Sequence, residues 1–135
     1  MAEFTDLAVG ASASATNIVE ASVVEDFARL TGDTNPIHLD ESYAQDTRFG
    51  RRIAHGMLAG GYISAILGTT LPGPGSIYLS QTLSFHAPMF LGDVITTTVT
   101  IHHIREDKPV VTARTECVNQ EGIAVVTGEA VLLCP

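Results

Sequence analysis

The feature that most constrains this fold is a change of hydrophobic period between residues 68 and 77. Before it, the run His55-Gly56-Met57-Leu58-Ala59-Gly60-Gly61-Tyr62-Ile63-Ser64-Ala65-Ile66-Leu67-Gly68 is apolar almost all round. That pattern marks a buried helix rather than a surface one. Its glycines each cost about 1 kcal/mol of helix propensity relative to Ala, so a buried setting must compensate. They also allow close approach to a sheet. Leu71-Pro72-Gly73-Pro74-Gly75 ends the helix. After it, Ile77, Leu79, Gln81, Leu83 and Phe85 alternate with polar or small residues, and so do Ile95, Thr97, Val99 and Ile101 beyond a Gly92-Asp93 turn. Glu106 to Pro109 reads as a hairpin turn, and Val110 to Val118 and Ile123 to Leu133 as two more strands. Consecutive alternating strands with short turns predict an antiparallel sheet. One buried helix with a long antiparallel sheet curled round it is an α+β layout, and 135 residues suit one domain over 1–135.

The N-terminal third is expected to be more broken. Residues 1 to 9 carry little signal, and Ala15 to Val19 reads as a short edge strand. Ser22-Val23-Val24-Glu25 fits a capping box. Val23, Phe27 and Leu30 follow at helical spacing, and Gly32 stands where a helix end needs left-handed φ. This predicts a helix over about 23–31. Asp40 is placed to cap a second short helix to about Asp46, carrying Tyr43 and Ala44 inward, before a loop through Arg48, Phe49, Gly50, Arg51 and Arg52.

Composition excludes several classes of function. Seven Lys and Arg against fifteen Asp and Glu give a formal charge of −8, which argues against a nucleic-acid partner, whose backbone needs a basic surface. No apolar stretch reaches membrane-spanning length. Cys117 and Cys134 are far apart without metal-type spacing, so reduced cytoplasmic thiols are expected. No basic region followed by an apolar run suggests a secretory signal. His102 and His103 are neighbours on a predicted strand and point to opposite faces, and no metal-ligand spacing is visible. Arg48, Arg51 and Arg52 cluster within five positions. They suit either a solvated turn or an anion such as the phosphates of coenzyme A.

The stretch with chemistry in it is Thr31-Gly32-Asp33-Thr34-Asn35-Pro36-Ile37-His38. Pro36 fixes its own φ and pushes Asn35 toward an extended conformation. Asp33 and His38 are therefore expected on a stiff, non-helical loop that turns both side chains toward one point. An acid paired with a base handles a proton in a transition state, but a capping Asp and a turn His that satisfy backbone groups fit the spacing equally well.

Phe27, Leu30, Thr31, Gly32, Asp33, Asn35, Pro36, Ile37, His38 and Ala44 together resemble the signature of the MaoC-like, (R)-specific enoyl-CoA hydratase family, the hydratase 2 enzymes. His55-Gly56-Met57, Gly75 to Leu79, Leu83-Ser84-Phe85, Pro88, Gly92-Asp93 and Thr127-Gly128-Glu129-Ala130 also look like it. The likeness covers nearly the whole chain after about Glu20 and is nearest the short stand-alone hydratases of polyhydroxyalkanoate synthesis.

The resemblance implies a single hotdog fold, a homodimer, and reversible syn hydration of a trans-2-enoyl-CoA thioester to the (3R)-3-hydroxyacyl-CoA, with no metal or other cofactor. It implies that Asp33 and His38 hold and activate a water, Asp33 as general base, with Asn35 orienting the loop or, as the second choice, the water. Gly56 becomes the donor to the substrate carbonyl, because a helix N-terminus offers free N–H groups and favours negative charge. Ser64 matches a family Ser near the pair, and Leu67, three residues on, is expected to border the acyl pocket. His55 is expected to be structural. Other readings are a hotdog dehydratase acting on acyl-carrier-protein thioesters, a non-catalytic acyl-CoA-binding hotdog, and a hotdog thioesterase, a group that lacks the Asp-x-Asn-Pro-x-His loop.

Overall fold

The computed structural model describes residues 6–135. Its elements in chain order are β1 (Ser12–Ile18), α1 (Ala21–Thr31), α2 (Pro36–Leu39), α3 (Glu41–Gln45), α4 (Met57–Thr69), β2 (Ile77–Phe85), β3 (Val94–Ile104), β4 (Val110–Val118) and β5 (Ala124–Leu133). The predicted buried helix and all four predicted C-terminal strands are present. All strand pairs are antiparallel, in the order β1-β3-β4-β5-β2. The sheet curves round α4, which packs against β1, β3 and β4. This is the hotdog arrangement that the resemblance implied.

The alternation in β3 reads directly as burial: Ile95, Thr97, Val99 and Ile101 are all fully buried. They meet Leu58, Ala59, Ile63, Ile66 and Leu67 of α4 and Val111, Ala113 and Cys117 of β4 in one core. Both cysteines are buried and unpaired. No described helix is long and apolar enough to cross a membrane.

Several local expectations are corrected. β2 and β3 are consecutive in sequence but not neighbours, because β2 pairs with β5 and β3 with β1. The Gly92-Asp93 turn instead docks on the link between β1 and α1, with Gly92 N donating to Val19 O at 2.7 Å. Ser22 is not the N-cap of α1. That position is Glu20, with no side-chain cap, and Ser22 lies inside the helix, so the capping box does not form. The other end is as expected, with Gly32 at φ 80 in the conformation glycine adopts without strain. Tyr43 faces solvent at 51% exposure, and Ala44 alone of the pair is buried. α4 is not buried on every side either: Met57, Gly61, Ser64, Ala65 and Gly68 are exposed along one side.

Candidate active site

Asp33 leaves the end of α1 through the Gly32 cap, and Asn35 starts the next turn. The chain is not loop throughout. Pro36 occupies the first position of α2, so His38 sits on a short helical turn. Proline is tolerated there because that N–H has no helical partner and its φ is already helical. The Asn35 side chain caps the turn, accepting from Ile37 N at 3.2 Å, while Asp33 Oδ1 accepts from Asn35 N at 3.4 Å. The Asn35 side chain is thus engaged in capping α2. Asp40 then caps α3 by accepting from Tyr43 N at 3.1 Å.

His38 is buried, at 8% exposure, while Asp33 is exposed. His38 Nδ1 lies 2.7 Å from the carbonyl oxygen of Ile53. A carbonyl only accepts, so Nδ1 carries the proton, and the neutral ring presents a bare Nε2. Burial lowers the His38 pKa from its ordinary value; the bond to Ile53 and the Asp33 carboxylate oppose that shift, and His55 adds to it.

His55 completes the cluster. Ligand-capable atoms of Asp33, His38 and His55 all lie within 4.8 Å of one another. His55 Nε2 donates to the backbone carbonyl of Asp33 at 2.9 Å. Its ring packs against His38 with centroids 3.9 Å apart and planes tilted by 31°, and against Phe27 at 4.7 Å and 43°. Sequence reading had grouped His55 with Gly56 and Met57 but had missed its contacts with both members of the pair. Ile53 and Phe85 were also missed as site residues.

Gly56 follows His55 and stands at the N-terminus of α4, where no side chain caps the helix. Its φ of −56° is open to any residue. The need for glycine comes from Phe85, because a Cβ here would lie 2.8 Å and 2.9 Å from two ring carbons. Gly56 and Phe85 line a cleft of about 310 Å³ with Phe49, Ile53, Ala54 and Met89. An acyl thioester fits such surroundings: apolar walls and one unpartnered helix terminus to receive a carbonyl oxygen.

The model of the MaoC like domain matches residues 8–121. The chain belongs to the MaoC-like family. Among its relatives, the (R)-specific enoyl-CoA hydratase of Rhodospirillum rubrum is 49% identical over 132 residues, covering 98% of this chain and 91% of that one. The solved (R)-hydratase of Aeromonas caviae, involved in PHA biosynthesis, superposes with a TM-score of 0.94 at 47% identity, over 96% of this chain and 98% of the other. A mitochondrial 3-hydroxyacyl acyl-carrier-protein dehydratase of Arabidopsis thaliana is more distant, 32% identical over 138 residues, covering 100% of this chain and 82% of that relative.

Other expected site residues of this MaoC-like chain lie apart from the pair. Ser64 is exposed, about 12 Å along α4 from Gly56 at 1.5 Å per residue. No hydrogen bond joins it to Asp33 or His38 among the described residues. Gly56, Gly60 and Ser64 recur at every fourth position, and the first two pack under Phe85 and Leu83 of β2. Ser64 thus continues a stripe beside the edge strand. Leu67, at 1% exposure, belongs to the core rather than to the cleft lining. The three arginines do not converge. Arg52 pairs with Glu41 at 3.3 Å. The Arg48 guanidinium lies 5.8 Å from the centre of the Phe49 ring, and that of Arg51 lies 4.0 Å from the centre of Phe90. Arg51 and Phe90 line a second cleft of about 250 Å³ that shares Ala87 and Pro88 with the first.

Proposed function

We propose that this chain is an (R)-specific enoyl-CoA hydratase, adding water reversibly and syn across the double bond of a trans-2-enoyl-CoA to give the (3R)-3-hydroxyacyl-CoA. The observation that carries this reading is the convergence of the Asp33 carboxylate with a His38 ring whose Nδ1–H is already committed to Ile53. Both groups then offer acceptors to one water. A water that donates to both has its lone pairs free to attack C3. Asp33 takes the proton in our assignment, and the pair returns a proton to C2 on the same face. The two groups act on the one water together. Negative charge that develops on the thioester oxygen is received by the Gly56 N–H at the start of α4. The elements of water are added whole and no electron acceptor is required.

For the coenzyme, we assign the phosphates to Arg51. It lines the cleft adjoining that of Gly56, whereas Arg52 is paired with Glu41. We further assign the chain to a homodimer. β2 is an edge strand, and Ile77, Tyr78, Leu79 and Phe85 on it are exposed at 56%, 38%, 54% and 55%. A second copy paired there would cover this apolar edge. Ser64, on the α4 stripe beside β2, would then face the partner and serve the site from across the interface.

Dehydration of carrier-protein thioesters is the same chemistry in reverse, and the 32% identical Arabidopsis relative keeps it as the second reading. The test is stereochemical. Purified protein is given crotonyl-CoA, loss of the enoyl absorbance is followed, and the product is offered to (R)- and (S)-specific 3-hydroxyacyl-CoA dehydrogenases. Turnover only by the (R)-specific enzyme is expected. An (S) product would overturn the reading, and no hydration would transfer the chain to the carrier-protein class.

A further inference from the structure

His55 is not one of the two groups assigned to the water, yet it touches both. It is 2% exposed. Its Nε2 faces a carbonyl oxygen, that of Asp33, so Nε2 bears the hydrogen and Nδ1 is left as a bare acceptor. Nδ1 is buried with no hydrogen-bond partner. A buried acceptor without a donor costs free energy, so packing alone would be served as well by a phenyl ring. What phenylalanine cannot supply is the bond to Asp33.

That bond matters because of where Asp33 sits. It follows Gly32, at φ 80, on an exposed stretch. Its other hydrogen bonds are local, from Asp33 N to Thr31 Oγ1 and from Asn35 N to Asp33 Oδ1. Among the described residues, the only hydrogen bond to Asp33 from a distant part of the chain is that of His55, 22 positions away. Fixing the Asp33 carbonyl fixes the peptide plane and hence the direction in which its side chain leaves. The other face of the task is the packing against His38, 3.9 Å between ring centres. Since Gly56 is the next residue, the same stretch also carries the carbonyl donor.

We propose that His55 is the positioning residue of this site: its Nε2–H sets the Asp33 peptide and its ring face sets the His38 imidazole. One side chain thereby fixes the separation of the two groups that hold the water. The inference rests on the assignment of Asp33 and His38 above. A misplacement of about 1 Å costs on the order of a hundredfold in rate, so the effect belongs in kcat rather than in KM.

Three variants separate the two contacts. His55→Phe keeps a ring against His38 and loses the donor. His55→Gln keeps a donor and loses most of the ring face. His55→Leu loses both. With activity expressed per folded molecule, kcat is expected to fall in each, furthest in His55→Leu, by about 10- to 100-fold, with KM for crotonyl-CoA nearly unchanged. The melting temperature of His55→Phe is expected to stay within a few degrees of wild type, because removal of the unpartnered Nδ1 offsets the lost bond to the Asp33 carbonyl. Equal kcat in all three variants, or a loss confined to KM, would overturn the proposal. A second measurement needs no variant: a two-bond 1H–15N spectrum of the wild-type protein should place the His55 proton on Nε2, and an Nδ1–H tautomer would also overturn it. If Asp33→Asn is inactive while His55→Phe is fully active, only the positioning role is lost. If Asp33→Asn is fully active, the assignment beneath it fails.

Discussion

Gly56→Ala separates the two reasons for a glycine at the start of α4. The added methyl would begin 2.8 Å from a Phe85 ring carbon. Ordinary carbon contacts begin near 3.5 Å, so the ring must retreat by about 0.7 Å. Within one protomer it has room to move, because Phe85 ends an edge strand and is 55% exposed; in the proposed dimer the partner's edge would have to yield with it. Moving it off its rotamer costs about 0.5–1.5 kcal/mol. Gly56 is the N-cap of α4, where alanine returns none of the helix-interior propensity that would offset this. Stability should therefore fall by about 0.5–1.5 kcal/mol. Activity should not survive so well. The methyl and the displaced ring both enter the cleft that Gly56 lines. Loss of one donor to a developing oxyanion costs about 10²–10³ in kcat, and partial obstruction should cost about 10- to 100-fold. Crotonyl-CoA hydration and thermal denaturation on the same preparation read both quantities. Wild-type kcat with a markedly lowered Tm would refute the reasoning, since Gly56 would then serve only the packing of Phe85.

Other perturbations have defined outcomes. Asn35→Ala removes the cap on Ile37 N and should cost about 0.5–2 kcal/mol in denaturant unfolding, with a fall in kcat as α2 loosens. Burial holds the His38 pKa below its ordinary 6.5, so the unfolded chain binds more protons than the native one between the two values, and stability rises with pH across that window. Stability should therefore be lost as pH falls below 6.5, His38→Gln should flatten that part of the curve, and the acid limb of wild-type kcat/KM should lie below 6.5. Arg51→Ala should raise KM for crotonyl-CoA while leaving a crotonyl-pantetheine thioester nearly unaffected; equal changes for both would remove Arg51 from the phosphates.

Periodic parts of the chain were legible because their signal is local. Ile95, Thr97, Val99 and Ile101 alternate in sequence and are buried in the structure, and Gly32 and Asp40 cap the helices their positions suggested. Ser22 misled because its side chain matches a capping pattern while the backbone turns extended two residues earlier, at Glu20. Pro36 pushes Asn35 toward an extended conformation, which suggests a loop through His38, whereas the same proline at the first helical position begins a turn of helix. The pairing of β2 with β5 could not be read from adjacency. Nor could the environment of the pair: Ile53 is 15 residues from His38, and His55 is 22 from Asp33. These contacts are made by the stretch from Ile53 to His55 that leads into α4, whose Ile53 N also donates to Ile37 O at 3.3 Å. The motif singled out the pair proposed to react, while the tautomer of His38 and the hydrogen bond to Asp33 needed coordinates.

The central claim is that Asp33 and His38 activate one water for addition to an enoyl thioester. Its most direct test is single-turnover hydration of crotonyl-CoA by Asp33→Asn beside wild type, with folding checked by thermal denaturation. An amide nearly isosteric with the carboxylate keeps the local turn but cannot accept the water proton as a base. Asp33→Asn is expected to fold, to bind crotonyl-CoA and to form (R)-3-hydroxybutyryl-CoA at least about a hundredfold more slowly, in keeping with loss of a general base. A folded Asp33→Asn protein with near-wild-type turnover would contradict the claim.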